Sequence, residues 1–152
     1  MRIVLVEPEI PANAGNIART CAVTGAELFL VRPLGFSIED RYLKRAGLDY
    51  WHLLSVHIYD SFKELQEDYP GERFFYYSTR GEKTYTSVSY AEKDFLVFGK
   101  ETAGLPDCIL KGNGELTLRI PMKPGRRSLN LSNSVALVLF EALRQQGFPG
   151  MI

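Results

Sequence analysis

The sequence predicts an α/β fold with a mostly parallel sheet and helices on both faces. Short β-branched or aromatic runs alternate with segments of helical periodicity along the chain. The apolar runs are nearly continuous, which is typical of strands buried on both faces. The 152 residues are 45% hydrophobic, enough for one sizeable core, and no Pro/Gly-rich linker divides them. We therefore expect a single domain over residues 1–152.

The elements follow in order from these runs. The first, "RIVLV", opens the chain, and the helix after it has a Pro-containing start with Asn13 as its candidate N-cap. That helix has small residues on one face, which would let it approach the sheet closely. Strands are expected at 2–6, 27–31, 74–78, 94–99 and 116–121, with 55–60 as a weaker candidate. Helices are expected at about 14–24, 39–46, 61–68 and 131–146.

The last predicted helix is apolar nearly all round. Val135, Val138 and Leu139 lie on one side, while Leu137 and Phe140 lie on another. One sheet cannot cover both sides, so a second copy of the chain is the expected cover, and the sequence predicts a homodimer through this helix. The alternative is that the helix is central in the monomer.

Composition and missing motifs exclude several functions. Eighteen basic residues balance eighteen acidic ones, so any preference for a polyanion must come from a local patch. No secretion signal or membrane-spanning stretch is evident, and we expect a cytoplasmic protein with no membrane partner. The chain has no GxGxxG or P-loop motif. His52 and His57 lack partners at metal-ligand spacing, so no metal is expected.

Polar loops follow four of the predicted strands: "EPEIPANAGNIART", "STRGEK", "GKETAGLP" and "PMKPGRRSLNLSN". In open α/β sheets, ligands bind beyond the carboxyl ends of the strands, where such loops meet. Asn16 and Arg19 share a helix face in the first loop region, although Arg19 could instead pair with a surface carboxylate. Gly99 has no Cβ, so a ligand or another backbone segment could approach it, but the loop could also be a simple turn.

Three stretches, "NAGNIART", "VFGKETAGLP" and "RIPMKPGRRSLNLSNSVALVLFEA", together resemble the signature motifs of the SPOUT superfamily of RNA methyltransferases, and most of all its TrmL type. The resemblance implies a deep C-terminal trefoil knot that binds S-adenosyl-L-methionine and releases S-adenosyl-L-homocysteine. It also implies 2′-O-methylation of cytidine or a modified uridine at tRNA wobble position 34, with tRNA-Leu as the expected substrate. A different tRNA or rRNA nucleotide, or a non-catalytic RNA-binding module, are the alternatives.

The resemblance also assigns residues. Arg19 is placed beside the ribose hydroxyl as a base or as a stabilising cation, and we favour stabilisation because a guanidinium rarely loses its proton. Asn16 would orient Arg19 or a phosphate, and Asn130 would contact the ribose or the start of the last helix. The methyl-donor site is assigned to Tyr77, Ser78, Gly99, Glu101, Gly104, Ile120, Met122, Ser128, Leu129 and Asn133.

Local basic residues at the same strand ends indicate RNA contact despite the neutral total charge. Such clusters attract phosphates. The candidates are Arg80, Lys123, Arg126 and Arg127. The alternative for each is a solvated loop position.

Overall fold

The computed structural model describes residues 1–38, 54–126 and 128–152. The predicted helix at 39–46, His52 and Arg127 lie outside these ranges. In chain order the elements are β1 Arg2–Val6, α1 Pro11–Thr24, β2 Glu27–Val31, β3 Val56–Tyr59, α2 Phe62–Asp68, β4 Phe74–Tyr77, β5 Lys83–Thr84, β6 Phe95–Phe98, α3 Asp107–Leu110, a 3-10 helix Gly114–Leu116, β7 Thr117–Arg119 and α4 Leu131–Gln145.

The strands form one sheet in the order β3-β2-β1-β6-β4-β7-β5. Every strand pair in it is parallel, which confirms the predicted sheet. Four strands that precede polar loops, β1, β6, β4 and β7, are adjacent in this order. Their carboxyl ends therefore bring the loops together at one edge of the sheet.

Helices cover both faces of the sheet, as predicted. Side chains alternate along each strand, so Ile3 and Leu5 enter one apolar cluster while Val4 and Val6 enter the other. Residues of α1 and α4 pack on the first face, and residues of α2 and α3 pack on the second. Each fully buried aliphatic side chain contributes about 1.5–3 kcal/mol of transfer free energy.

The first helix differs from its prediction. It begins at Pro11 rather than near residue 14, and its N-cap is Ile10, which makes no side-chain capping bond. The prediction of Asn13 as N-cap was therefore wrong. Asn13 lies inside the first turn, 6% exposed, where its side chain bonds to other loops. Proline suits this first helical position because its missing N–H has no intrahelical acceptor there.

Helix α4 is covered on one side and partly open on the other. Val135, Val138 and Leu139 are fully buried. Leu137 and Phe140 remain 37% and 46% exposed, as expected for a side that the sheet does not cover. The C-terminal trefoil knot stays a prediction.

Candidate active site

A cleft of about 1140 Å³ opens at the carboxyl ends of the central strands. It is lined by the loops after β4, β6 and β7, together with the first residues of α1 and α4. Every residue that the resemblance assigned to the methyl donor lines this cleft except Asn133. Asn133 is exposed in the first turn of α4, and its N–H donates to Asn130 Oδ1 at 3.3 Å.

The loop after β6 is shaped by two glycines, and we name residues 99–104 the glycine loop. A Cβ at Gly99 would lie 2.0 Å from the carbonyl carbon of Gly104 and 2.1 Å from the nitrogen of Leu105. Gly104 has a φ of +71°, and its N–H donates to the carbonyl of Lys100 at 2.8 Å. The chain's own backbone therefore requires Gly99, and the loop is more than a simple turn.

Glu101 binds the start of α1. Its carboxylate accepts the N–H of Glu9 at 2.8 Å, the N–H of Ile10 at 3.2 Å and Nδ2 of Asn13 at 3.0 Å. The first N–H groups of a helix have no intrahelical acceptor, and a negative charge is favoured beside them. Glu101 thus places its negative charge at the start of α1 by binding the two residues before the helix and the Asn13 side chain, and it also lines the cleft.

Two further contacts join the glycine loop to the loop after β1. Lys100 Nζ donates to Glu7 Oε2 at 2.7 Å, and this bond raises the pKa of Lys100. Thr102 donates both its N–H, at 3.1 Å, and its hydroxyl, at 2.8 Å, to Glu9 Oε2. These three bonds hold the glycine loop against the loop after β1.

Asn130 is the N-cap of α4. Its Oδ1 accepts the N–H of Ser132 at 2.9 Å, and its Nδ2 donates to Asn13 Oδ1 at 2.9 Å. The chain of bonds Glu101–Asn13–Asn130 thus connects the glycine loop, α1 and α4. Sequence reasoning missed this role of Asn13, which it took for an N-cap.

Tyr77 directs its hydroxyl away from solvent. Its ring stacks on Phe98 with centroids 4.6 Å apart, and its hydroxyl donates to Tyr90 at 3.0 Å. Tyr90 in turn donates to the carbonyl of Tyr85. Burial raises the pKa of Tyr90 to about 12 and raises that of Tyr77 well above its ordinary 10.0.

The loop after β4 depends on a glycine that sequence reasoning did not single out. A Cβ at Gly81 would lie 2.6 Å from the carbonyl carbon of Leu118 in β7. The same loop is held by the N–H of Ser78, which donates to the carbonyl of Leu118 at 3.0 Å. The backbone of β7 therefore positions Ser78 at the cleft.

The predicted catalytic residues on α1 are separated from the cleft. Asn16 and Arg19 are exposed, and neither is among the cleft-lining residues, whereas Asn130 is. Of the predicted RNA contacts, Arg80, Lys123 and Arg126 line the cleft. Arg80 forms an ion pair with Asp107. One chain thus brings together the donor residues and the basic residues, but not Arg19.

Residues 1–38, 54–126 and 128–152 contain neither a cluster of metal-binding side chains nor a helix that could span a membrane. Within these ranges, no cluster of three or more His, Cys, Asp or Glu side chains is arranged to hold a metal ion. No helix in the same ranges has the length and apolar character needed to cross a membrane.

Known proteins resemble this chain over its whole length. The family model described as "SpoU rRNA Methylase family" matches residues 1–140. An Escherichia coli (strain K12) protein named tRNA (cytidine(34)-2′-O)-methyltransferase is 46% identical over 153 residues, covering 100% of this chain and 98% of that protein. A Bacillus subtilis (strain 168) protein, provisionally given the same name, is 51% identical over 151 residues, covering 97% and 94%.

Solved structures agree. One described as "Structural insights into the 2-OH methylation of C/U34 on tRNA" has a TM-score of 0.91 and 46% identity, covering 96% of this chain and 95% of that one. An AdoMet-bound rRNA methyltransferase from Sinorhizobium meliloti has a TM-score of 0.83 and 26% identity, covering 94% of this chain and 55% of that one. With a matching family model and relatives of this identity, the chain belongs to the SpoU rRNA methylase family.

Proposed function

We propose that the protein methylates the ribose 2′-hydroxyl at wobble position 34 of tRNA, using S-adenosylmethionine as the donor. The observation that carries this proposal is the cleft, which combines apolar side chains, the glycine loop and basic side chains. Its substrate would be a cytidine or uridine at position 34 of tRNA, as the names given to a full-length relative and a solved structure indicate for those proteins. The cytoplasm, where tRNA is modified, is its proposed location.

The cleft fits the methyl donor. Adenine needs apolar walls with backbone donors and acceptors beside them. Ile120, Met122 and Leu129 line the cleft next to the glycine loop and would supply them. When bound, S-adenosylmethionine supplies a methyl group on a sulfonium whose leaving group is a neutral thioether. The protein therefore needs mainly to position and activate the acceptor oxygen.

Arg19 is the residue proposed to activate that oxygen. The positive charge of its guanidinium would stabilise negative charge on the 2′-oxygen while the hydroxyl proton passes to solvent and the methyl group moves from the sulfonium to that oxygen. Asn16, one turn earlier on α1, would orient Arg19 or an RNA phosphate. Asn130, whose amide is already bonded to Asn13 and Ser132, would hold α4 and α1 in place beside the ribose.

A second copy of the chain would bring Arg19 to the cleft. Helices α1 and α4 pack on the same face of the sheet, so exposed Arg19 and the exposed apolar side of α4 belong to one region of the surface. A homodimer formed through Leu137 and Phe140 of α4 would cover these side chains. We propose that Arg19 of each copy serves the cleft of the other.

The test is transfer of labelled methyl groups to tRNA, followed by mapping of the 2′-O-methyl position. We expect methylation at position 34 by the unaltered protein and none by Arg19→Ala, with binding of S-adenosylhomocysteine retained in calorimetry. Lys63→Ala, which removes an exposed cation on α2 across the sheet, is the matched control and should stay active. Methylation at another nucleotide, or no binding of S-adenosylhomocysteine, would contradict the proposal.

Mixed dimers test the exchange of Arg19 between copies. Leu129→Asp changes a 42% exposed residue of the cleft and should block donor binding without unfolding the chain. Co-expression with Arg19→Ala should restore about a quarter of the activity, because half of the dimers are mixed and each has one intact site. No recovery from the mixture would show that Arg19 serves its own chain.

A further inference from the structure

The two basic walls of the cleft differ in how their charge is balanced. On the loop after β4, Arg80 lines the cleft and pairs with Asp107 of α3, while Lys83 of β5, outside the cleft lining, pairs with Glu115 of the 3-10 helix. On the loop after β7, Lys123 and Arg126 have no ion pair with any residue in the described ranges. Within the described ranges, the loop after β7 therefore presents cations without a carboxylate partner, whereas Arg80 on the loop after β4 has one.

Asp107 is placed to compete with RNA for Arg80. The guanidinium lines the cleft, and its Nη1 donates to Asp107 Oδ1, while Asp107 itself stands outside the cleft lining. Both side chains are well exposed, at 64% and 81%. Guanidinium groups bind carboxylate and phosphate oxygens with the same N–H donors. A phosphate that approaches the Nη1 edge of Arg80 therefore competes with Asp107 for the same donor.

We propose that Asp107 occupies the place of an RNA phosphate on Arg80, and that tRNA binding exchanges the carboxylate for a phosphate. This rests on the proposed function, in which tRNA binds across the cleft. Lys123 and Arg126 can attract a polyanion without losing a carboxylate partner, whereas a phosphate gains Arg80 only in competition with Asp107. Asp107 is then a residue that sets selectivity against loosely bound RNA.

The experiment measures binding of unmodified tRNA at several salt concentrations. Asp107→Asn should tighten binding about three- to fivefold at low salt, the range of an exposed ion pair. The gain should shrink as the salt concentration rises, because salt screens the competing ion pair between Asp107 and Arg80. Binding of S-adenosylhomocysteine should stay unchanged, which verifies the fold.

A double-mutant cycle tests the exchange itself. Arg80→Ala should weaken tRNA binding more in the Asp107→Asn protein than in the unaltered one, because there the guanidinium is no longer shared. Glu115→Gln is the matched control: it frees Lys83, which does not line the cleft, and should leave affinity within about twofold, since a rim charge of this kind is worth little.

Three results would count against the inference. Equal affinity of Asp107→Asn and the unaltered protein would overturn it, as would an Arg80→Ala effect that is independent of residue 107. A gain for Glu115→Gln equal to that for Asp107→Asn would show a general charge effect instead. If the unaltered protein does not bind tRNA, the proposed function fails and this inference with it. If the unaltered protein binds tRNA but Asp107→Asn binds no more tightly, only this inference fails.

Discussion

The donor side and the acceptor side of the site are built in different ways. Glu101, Asn13 and Asn130 join three segments around the cleft by hydrogen bonds of 2.9–3.0 Å, all within one chain. Arg19, two turns along the same helix α1, is exposed and apart from that cleft. Under the proposed function, the donor pocket lies within a single chain, whereas Arg19 of a second chain would complete the acceptor side.

The donor side is rigid because its polar groups are paired with one another. A carboxylate bonded to backbone N–H groups makes charge-assisted hydrogen bonds, which are about twice as strong as neutral ones. Removing one partner leaves the others unsatisfied, so each member of the network depends on the rest. On the acceptor side, Asn16 and Arg19 lie at the surface, which suits residues that act on a large substrate.

The largest effect is expected from Gly99→Ala, which changes the glycine loop on the donor side. The added Cβ would overlap the backbone of Gly104 and Leu105, so the glycine loop must move. The free energy of unfolding should fall by at least about 3 kcal/mol, measured by urea denaturation. Gly114→Ala is the control, since nothing lies within 4 Å of a Cβ there. Equal stability of the two variants would contradict the close packing.

Phe140→Glu tests the acceptor side, because Phe140 lies in the proposed dimer interface that would bring Arg19 to the cleft. This side chain is 46% exposed on α4, so a charge there should not unfold the chain but should prevent the dimer. Methyl transfer should fall about a hundredfold, as for a misplaced catalytic group, while S-adenosylhomocysteine still binds. Sedimentation should show a monomer. Ile58→Glu, at 41% exposure on β3, should leave the mass unchanged. A dimeric Phe140→Glu protein would refute the proposed interface.

The sequence predicted the fold better than it predicted the site network. Strand periodicity is a local property, so the predicted bounds of β1 and β2 match the observed strands residue for residue. The strand order, and with it the meeting of the four loops, depends on non-local pairing that no single run of residues encodes.

The site residues show the same limit. The family resemblance assigns Glu101 and Asn130 to the site but does not predict their bonds to Asn13 of α1, because the bonded residues are 88 and 117 positions apart in the chain. Asn13 resembles an N-cap in the sequence, since a short polar residue near a proline is typical of one. The lack of a disulfide or metal-ligand pattern predicts buried thiols for both cysteines, which is confirmed for Cys21 but wrong for Cys108, which is exposed.

Glu101→Gln sharpens the comparison further. The amide keeps one acceptor oxygen, but its NH₂ group then faces a donor: the N–H of Glu9 in one orientation, or the N–H of Ile10 and Nδ2 of Asn13 in the other. We expect the free energy of unfolding to fall by about 2 kcal/mol, the range for a bond to a charged group. Glu82→Gln, an exposed change in the neighbouring loop, should cost nothing measurable in the same denaturation experiment. A loss shared by both variants would point to net charge as the cause.

The smallest effect is expected from Tyr77→Phe. Tyr77 lines the cleft, but the hydroxyl that this change removes is bonded to buried Tyr90. The hydroxyl of Tyr77 bonds to Tyr90, so its removal should cost about 1 kcal/mol and leave S-adenosylhomocysteine binding unchanged. Weaker binding of that ligand would show instead that the hydroxyl reaches it. Tyr85→Phe, whose hydroxyl makes no hydrogen bond within the described ranges, is the control for stability.

The pH dependence of stability provides a second readout of the same pair. Tyrosines in the unfolded chain ionise near pH 10, whereas burial raises the folded pKa of Tyr90 to about 12 and that of Tyr77 well above 10.0. Their contribution is therefore complete below pH 10 and is lost as the pH rises toward the folded pKa values. Tyr77→Phe removes one of the two groups, so its stability should fall less steeply above pH 10. An unchanged slope in denaturation measured from about pH 8 to 11 would mean that Tyr77 ionises as it does in the unfolded chain.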